Sequence, residues 1–179
     1  MVFLVELDVD EYGMLFGGTD ALPLDSVEHD WNMPYPQVGA ELTFEWEEGD
    51  AGRVPNVFSH GELLDWVCDD RSLLLLEQIG KADLRDYATG TFRSNRLTAV
   101  QVTTVLEDLV DRGKSIIDKF PTYEIMRFPA FRRAAADRLR SRIFRIPEMY
   151  PDVFLGEDVR IAIEAAGITG LRFAAVDWA

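Results

Sequence analysis

Few side chains in this 179-residue sequence are of the kinds that do covalent chemistry. There are two histidines, His29 in VEHDW and His60 in SHGE, each beside carboxylates. A metal site or a His–carboxylate pair needs such neighbours. Neither histidine has a partner at HxH or HxxxH spacing, and both fall in stretches that read as loops. Solvent-facing histidines are therefore the better reading. The single cysteine, Cys68, follows Trp66-Val67 at the end of an expected strand and precedes Asp69-Asp70. That setting favours a packed thiol over a nucleophile. No GxGxxG, GxxxxGKS/T or GxSxG is present, so neither a phosphate loop nor a nucleophile elbow is encoded. Carboxylates are abundant, but no pair stands out by spacing as an acid/base dyad. The expectation is a non-enzyme with no catalytic, cofactor-binding or metal-ligating residue.

What the charged residues do carry is a strong asymmetry. The net charge is −14. Residues 1–90 hold 20 Asp/Glu against 4 Lys/Arg, and residues 91–179 hold 12 against 14. Two readings stay open: solubility with pairing between the halves, or an acidic face that draws in a basic partner. Nonspecific nucleic-acid binding is disfavoured, because a phosphate backbone would be repelled. Arg132, Arg133, Arg138, Arg140, Arg142 and Arg145 cluster within one short stretch. Pairing with the acidic half plus a solvated face explains them better than a phosphate patch does. Trp31 and Trp46 lie in aromatic-rich acidic stretches and are candidate partner anchors.

These side chains must be placed by the surrounding elements. Val2 to Asp8 alternates as a strand. Gly39 to Glu48 alternates more cleanly, with Leu42, Phe44 and Trp46 on one face and Glu41, Thr43, Glu45 and Glu47 on the other. Residues 19–40 carry Pro23, Pro34 and Pro36 and read as surface loop. Leu63 to Val67 leads into Asp69-Asp70, which caps a helix to Ile79 that is stopped by Gly80. Its apolar stripe is Leu73, Leu76 and Ile79. Leu84 to Tyr87 and Leu97 to Leu106 read as strands, with a short helical or turn segment over Leu109 to Ile117. Tyr123 to Phe128 and Arg142 to Ile146 read as strands, and Pro129 to Arg140 as a short helix between them. A proline-bounded loop then leads into a helix from Glu157, with Val159, Ala162, Ile163 and Ala166 as its stripe and Gly167 as its stop. Leu171 to Val176 closes as a strand. The expected fold is α+β: a mixed, mainly antiparallel sheet with a few short helices. One domain, 1–179, is expected, with an acidic lobe 1–90 and a second lobe 91–179 sharing one core. The acidic N-terminus shows no basic n-region of a secretory signal, and no apolar run spans a bilayer, so a cytoplasmic protein away from membranes is expected.

A weak internal echo runs through this pattern. Sliding the chain by 87 residues sets Asp70 on Glu157, Glu77 on Glu164, Gly80 on Gly167, Leu84 on Leu171 and Arg85 on Arg172. Both copies read as acidic helix start, apolar stripe, glycine stop and Leu-Arg strand.

The stretch Phe144 to Trp178 gives one further lead. Phe154, Glu164, Ala165, Ala166, Gly167, Thr169, Gly170, Leu171 and Phe173 stand where a C-terminal family motif would have them. This block resembles that of immunity-protein family 11 of bacterial polymorphic-toxin systems, formerly a domain of unknown function. Val67 to Arg85 resembles the family's earlier block. Gly156 departs from the pattern, because members often have serine at that helix cap. The resemblance implies a cytoplasmic antidote that binds a cognate protein toxin without catalysis. The acidic strand face of Glu41, Glu45, Glu47 and Glu48, with Trp46 and Trp31 as anchors, is the expected interface. The alternative is a small-molecule-binding protein or small hydrolase with a cleft between the two helix–turn–strand units. A homodimer through an exposed strand edge also stays open.

Overall fold

The computed structural model describes residues 1–16, 42–49, 52–60, 66–80, 83–149 and 152–179. In chain order the elements are β1 (Val2–Leu7), α1 (Val9–Tyr12), β2 (Gly13–Phe16), β3 (Leu42–Thr43), β4 (Glu45–Glu48), β5 (Val57–His60) and β6 (Trp66–Asp69). Then come α2 (Asp70–Gly80), β7 (Leu84–Phe92), β8 (Asn95–Val102), β9 (Ile116–Lys119), β10 (Glu124–Phe128), α3 (Ala136–Leu139), β11 (Ile143–Phe144), β12 (Val153–Gly156), α4 (Glu157–Ala165) and β13 (Leu171–Val176). The protein is α+β, mostly strand, with mixed but mainly antiparallel sheets. None of the described helices is long and apolar enough to cross a membrane.

A seven-stranded sheet runs β3-β7-β8-β6-β5-β2-β4. Its two end strands, β3 and β4, are consecutive in the chain and separated only by Phe44. The sheet therefore curls until its ends nearly meet, as a barrel does. The alternating stretch 42–48 expected as one strand is these two strands, broken at Phe44. The alternation itself holds: Leu42 and Phe44 are buried inside the barrel, and Trp46 packs against the same cluster. Phe58, Val67, Tyr87, Phe92 and Leu97 fill the rest of that interior.

The second sheet runs β11-β12-β1-β13. Alternation decides which side each residue serves. Phe3, Val153 and Leu155 face the outside of the barrel, where Trp66, Cys68, Val100 and Val102 meet them together with Leu76 of α2 and Val159 and Ile163 of α4. Val2, Phe144 and Phe154 face the other way, into a third cluster with Leu109, Phe131 and Leu139. The β9–β10 hairpin leans on this third cluster through Ile117 and Met126. The space between the two helix–turn–strand units is filled by the middle cluster, and α2 touches α4.

The echo is a structural repeat, and it is longer than the sequence showed. Adding 87 carries β6 (Trp66–Asp69) onto β12 (Val153–Gly156), the start of α2 onto the start of α4, and Leu84 of β7 onto Leu171 of β13. Each strand–helix–strand unit also takes one antiparallel strand between its two strands: β8 in the first, β1 in the second. The registers agree. Trp66 and Asp86 both pair with Val100, and their counterparts Val153 and Phe173 both pair with Val5. Agreement ends at a bulge between Asp86 and Ala88.

Three local expectations differ from the structure. The helical or turn segment expected over 109–117 is a turn at 112–114, and Ile116 and Ile117 open strand β9 rather than closing that segment. Pro129 to Arg140 yields only a 3-10 turn at Arg133–Ala135 and the single turn α3, because Ala130 and Phe131 are drawn into the third cluster's surroundings instead. Val153–Gly156, expected within a loop, is an inner strand of its sheet. A four-residue run flanked by proline gives too short a pattern to separate strand from loop.

Candidate partner-binding surfaces

Strand β4 holds all of the described part of the interface expected from sequence. It pairs antiparallel with β2, Glu48 opposite Gly13 and Glu45 opposite Phe16, and ends the sheet. Glu45, Glu47 and Glu48 are exposed, and none forms an ion pair among the described residues. Charged side chains on an end strand also keep it from pairing with another sheet. Trp46 sits between them, half-buried. Its indole N–H donates to the Tyr12 carbonyl at 3.0 Å, and its ring meets Phe92 edge-on at 5.8 Å. The Arg93 guanidinium lies 5.0 Å over it. Trp46 thus fixes β4 to the barrel while the glutamates stay in water. Trp31 and Glu41 lie outside the described residues, as does His29.

Close by, Glu11 is already engaged. Arg53 donates to it at 2.7 Å and also to the Tyr12 hydroxyl at 3.0 Å. The Arg53 hydrogen bond holds the Glu11 carboxyl below its usual pKa. A shallow cleft of about 240 Å³ beside β4 is lined by Val9, Asp10, Met14, Glu47 and Glu48.

The residues singled out for chemistry fall into structural places. Cys68 is fully buried, and desolvation pushes its thiol pKa far up, so the thiolate nucleophile is suppressed. His60 belongs to β5, next to β2. No group of three or more potential metal ligands occurs among the described residues. The arginine cluster divides. Arg142 grips Asp83 through two of its three guanidinium nitrogens, Nη2 donating to Oδ1 and Nε reaching both carboxylate oxygens at 3.0 Å. Arg140 pairs with Asp158 at 3.0 Å, and Arg145 is buried. Hydrogen bonds from Ser141 and then Arg140 lower the Asp158 pKa. Arg132, Arg133 and Arg138 remain exposed.

A second surface was not found by sequence reasoning. The β9–β10 hairpin exposes Ile116, Phe120, Tyr123, Ile125 and Phe128, with Phe128 at 66%. Ile116 and Phe128 are cross-strand partners. At the tip Phe120 and Tyr123 stack, ring centroids 4.7 Å apart. Large apolar side chains exposed together on one hairpin make it a candidate contact surface. Between the hairpin and the second sheet runs a groove of about 170 Å³. Leu4 and Ala174 to Val176 form its floor, Ile116, Phe128 and Pro129 its wall, and Glu6 and Asp177 its rim. Arg127 also reaches it but is paired with Asp118 at 2.7 Å. The signal in the sequence was the apolar excess of YEIMRF: Ile125, Met126 and Phe128 fall on both strand faces, more than one buried face can take.

No protein-family model matches the chain, and no curated protein matches it.

Proposed function

We propose that the chain is a non-catalytic immunity protein that binds and neutralises a cognate bacterial toxin in the cytoplasm. The observation that carries this reading is the row of exposed glutamates on β4, without an ion pair among the described residues and held in place by the Trp46 anchor. The resemblance of residues 142–176 to the immunity family supports it. So does the overall charge of −14, which favours a basic partner. The work of such a protein is occlusion. A rigid acidic strand covers a basic site that would otherwise meet an anionic substrate, and charge complementarity speeds the encounter.

The test is co-expression with the toxin encoded beside this gene. Rescue of growth and a purified complex are expected. Glu45→Gln, Glu47→Gln and Glu48→Gln together are expected to slow association about tenfold at low salt and to flatten its salt dependence. No binding and no rescue overturn the reading.

A further inference from the structure

The groove beside β13 is a different kind of surface from the acidic strand. β13 ends its sheet, and from Leu171 to Val176 its backbone bonds only to β1 among the described residues. Just past it the chain shows what this edge accepts. Phe131 pairs parallel with the tail, its N–H donating to the Asp177 carbonyl at 3.0 Å and its carbonyl accepting from Ala179 N–H at 2.7 Å. That pairing cannot run further back along the edge. Pro129 has no N–H to give, and Phe128 turns away into the hairpin. Among the described residues the edge is left open where the groove lies.

Size and charge define what fits. The groove is below the roughly 300–1,000 Å³ of ordinary small-molecule sites. It suits one large apolar side chain from a chain laid along the edge, the arrangement of strand addition, in which main-chain bonds bind and alternate side chains select. Its rim is acidic: Glu6 and Asp177 have no ion pair among the described residues, and Asp152 stands close enough to feel Glu6. A second copy of this chain would bring another −14 of charge to the same place. We propose that the open edge of β13 and its groove dock an extended segment of a partner protein, which lays one large apolar side chain against Phe128 and Ala174 and sets a lysine or arginine beside Glu6 and Asp177. This goes beyond the neutraliser reading and holds whether or not that partner is a toxin.

The probe is a random-peptide display library selected against the full chain at low salt. Selected peptides are expected to combine a large apolar residue with lysine or arginine, and to slow amide exchange along β13. They are expected to bind Ala174→Arg, which fills the groove and repels cations, about tenfold more weakly or worse. Phe128→Ser, at a side chain mostly in water, is expected to weaken them without unfolding the chain. The double change Glu6→Lys/Asp177→Lys is expected to select acidic peptides instead. Native exchange in β12 verifies that each variant is folded. Binders that ignore Ala174→Arg, or a selection with none that protects β13, overturn the proposal. So does a dimer abolished by Ala174→Arg, which makes a second copy the occupant. Failure of toxin rescue leaves this result untouched, so the two readings fail separately.

Discussion

Asp83 is 1% exposed and gathers four donors from distant parts of the chain. Arg142 Nε lies 3.0 Å from each of its oxygens, Arg142 Nη2 donates to Oδ1, Thr104 Oγ1 donates at 2.8 Å, and the Ile143 N–H donates at 3.0 Å. It ties the segment after α2 to β11 at the seam between the sheets. Asp83→Ala strands a buried N–H and half of an ion pair. The expected cost is about 3 kcal/mol, at the low end for a broken buried pair because Arg142 reaches water. Asp83→Asn keeps an acceptor and should cost clearly less. Urea denaturation of both variants decides, and equal losses would mean that charge and geometry matter less than packing. Asp152 offers a pH test. Burial, then the nearby Glu6 carboxylate, raises its pKa. The native state therefore holds that proton more tightly than the unfolded chain does, and stability falls as pH rises through the interval between the two pKa values. Asp152→Asn removes the ionisation. It should melt higher than the parent at neutral pH, with the difference closing as pH drops below about 4. Parallel curves across the whole range would remove the electrostatic explanation. That an arginine of the 132–145 cluster would meet the acidic half was legible in advance, as was the packed Cys68, whose own neighbours in sequence are those of a strand. Asp83 sits in KADLR, which reads as any solvated turn, and its partners lie 21 to 60 residues away.

The two copies of the repeated unit start their helices by different means. In the first, Asp69 caps α2, accepting from Ser72 N–H at 2.7 Å. In the second, Gly156 holds the cap position with no side-chain bond, and the Arg140 carbonyl accepts from Asp158 N–H at 3.0 Å in its place. A side chain does not fit at 156: a Cβ there would lie 1.9 Å from the Leu139 carbonyl oxygen and 2.2 Å from that of Arg140. Capping rules by themselves recommend serine at this position. The packing says the reverse. Gly156→Ser should destabilise by about 1–3 kcal/mol or more, as overpacking does. Asp69→Ala should cost about 1–2 kcal/mol through the lost cap. Thermal melts of the two variants side by side check both, and a stabilised Gly156→Ser would show that the 139–140 backbone yields freely. The helices, their stripes and their glycine stops were readable because those signals are local. The split of 42–48 into β3 and β4 was not. Barrel closure imposes it, and an unbroken alternation carries no mark of where a sheet must bend.

At the scale of the whole molecule the halves are interleaved rather than side by side. β1 from the start of the chain lies between β12 and β13, and β8 lies between β6 and β7. This is why the echo showed only part of the repeat. Helix and flanking strands recur at a spacing of 87, but the inserted strands, β8 and β1, correspond at a spacing of 95 and in reversed chain order. In the first unit, β7 passes into β8 through the two-residue turn Arg93-Ser94, with φ of 47° and 68°. Both are left-handed positions, which suit asparagine and glycine in such turns and cost other residues about 1–2 kcal/mol each. In the second unit the matching hairpin would join β13 to β1, and these are the last and the first strands among residues 1–179, with no link between them there. Val2 and Val176 are direct partners across that gap. The molecule is thus two alike units, one with its hairpin closed and one with it open. Exchanging which is open should leave the fold intact. A permuted chain joins Ala179 to Met1 through a short Gly/Ser linker, which reaches about 5–6 Å times the square root of its length, and begins at Ser94. It loses the strained turn and the Arg93 contact with Trp46, two changes of opposite sign. Expected is the parental circular dichroism spectrum with single-step unfolding, and a stability within about 2 kcal/mol of the parent. A permutant that stays unfolded would mean that the β7–β8 hairpin must form first, and that the two units, though alike in register, are not interchangeable in folding.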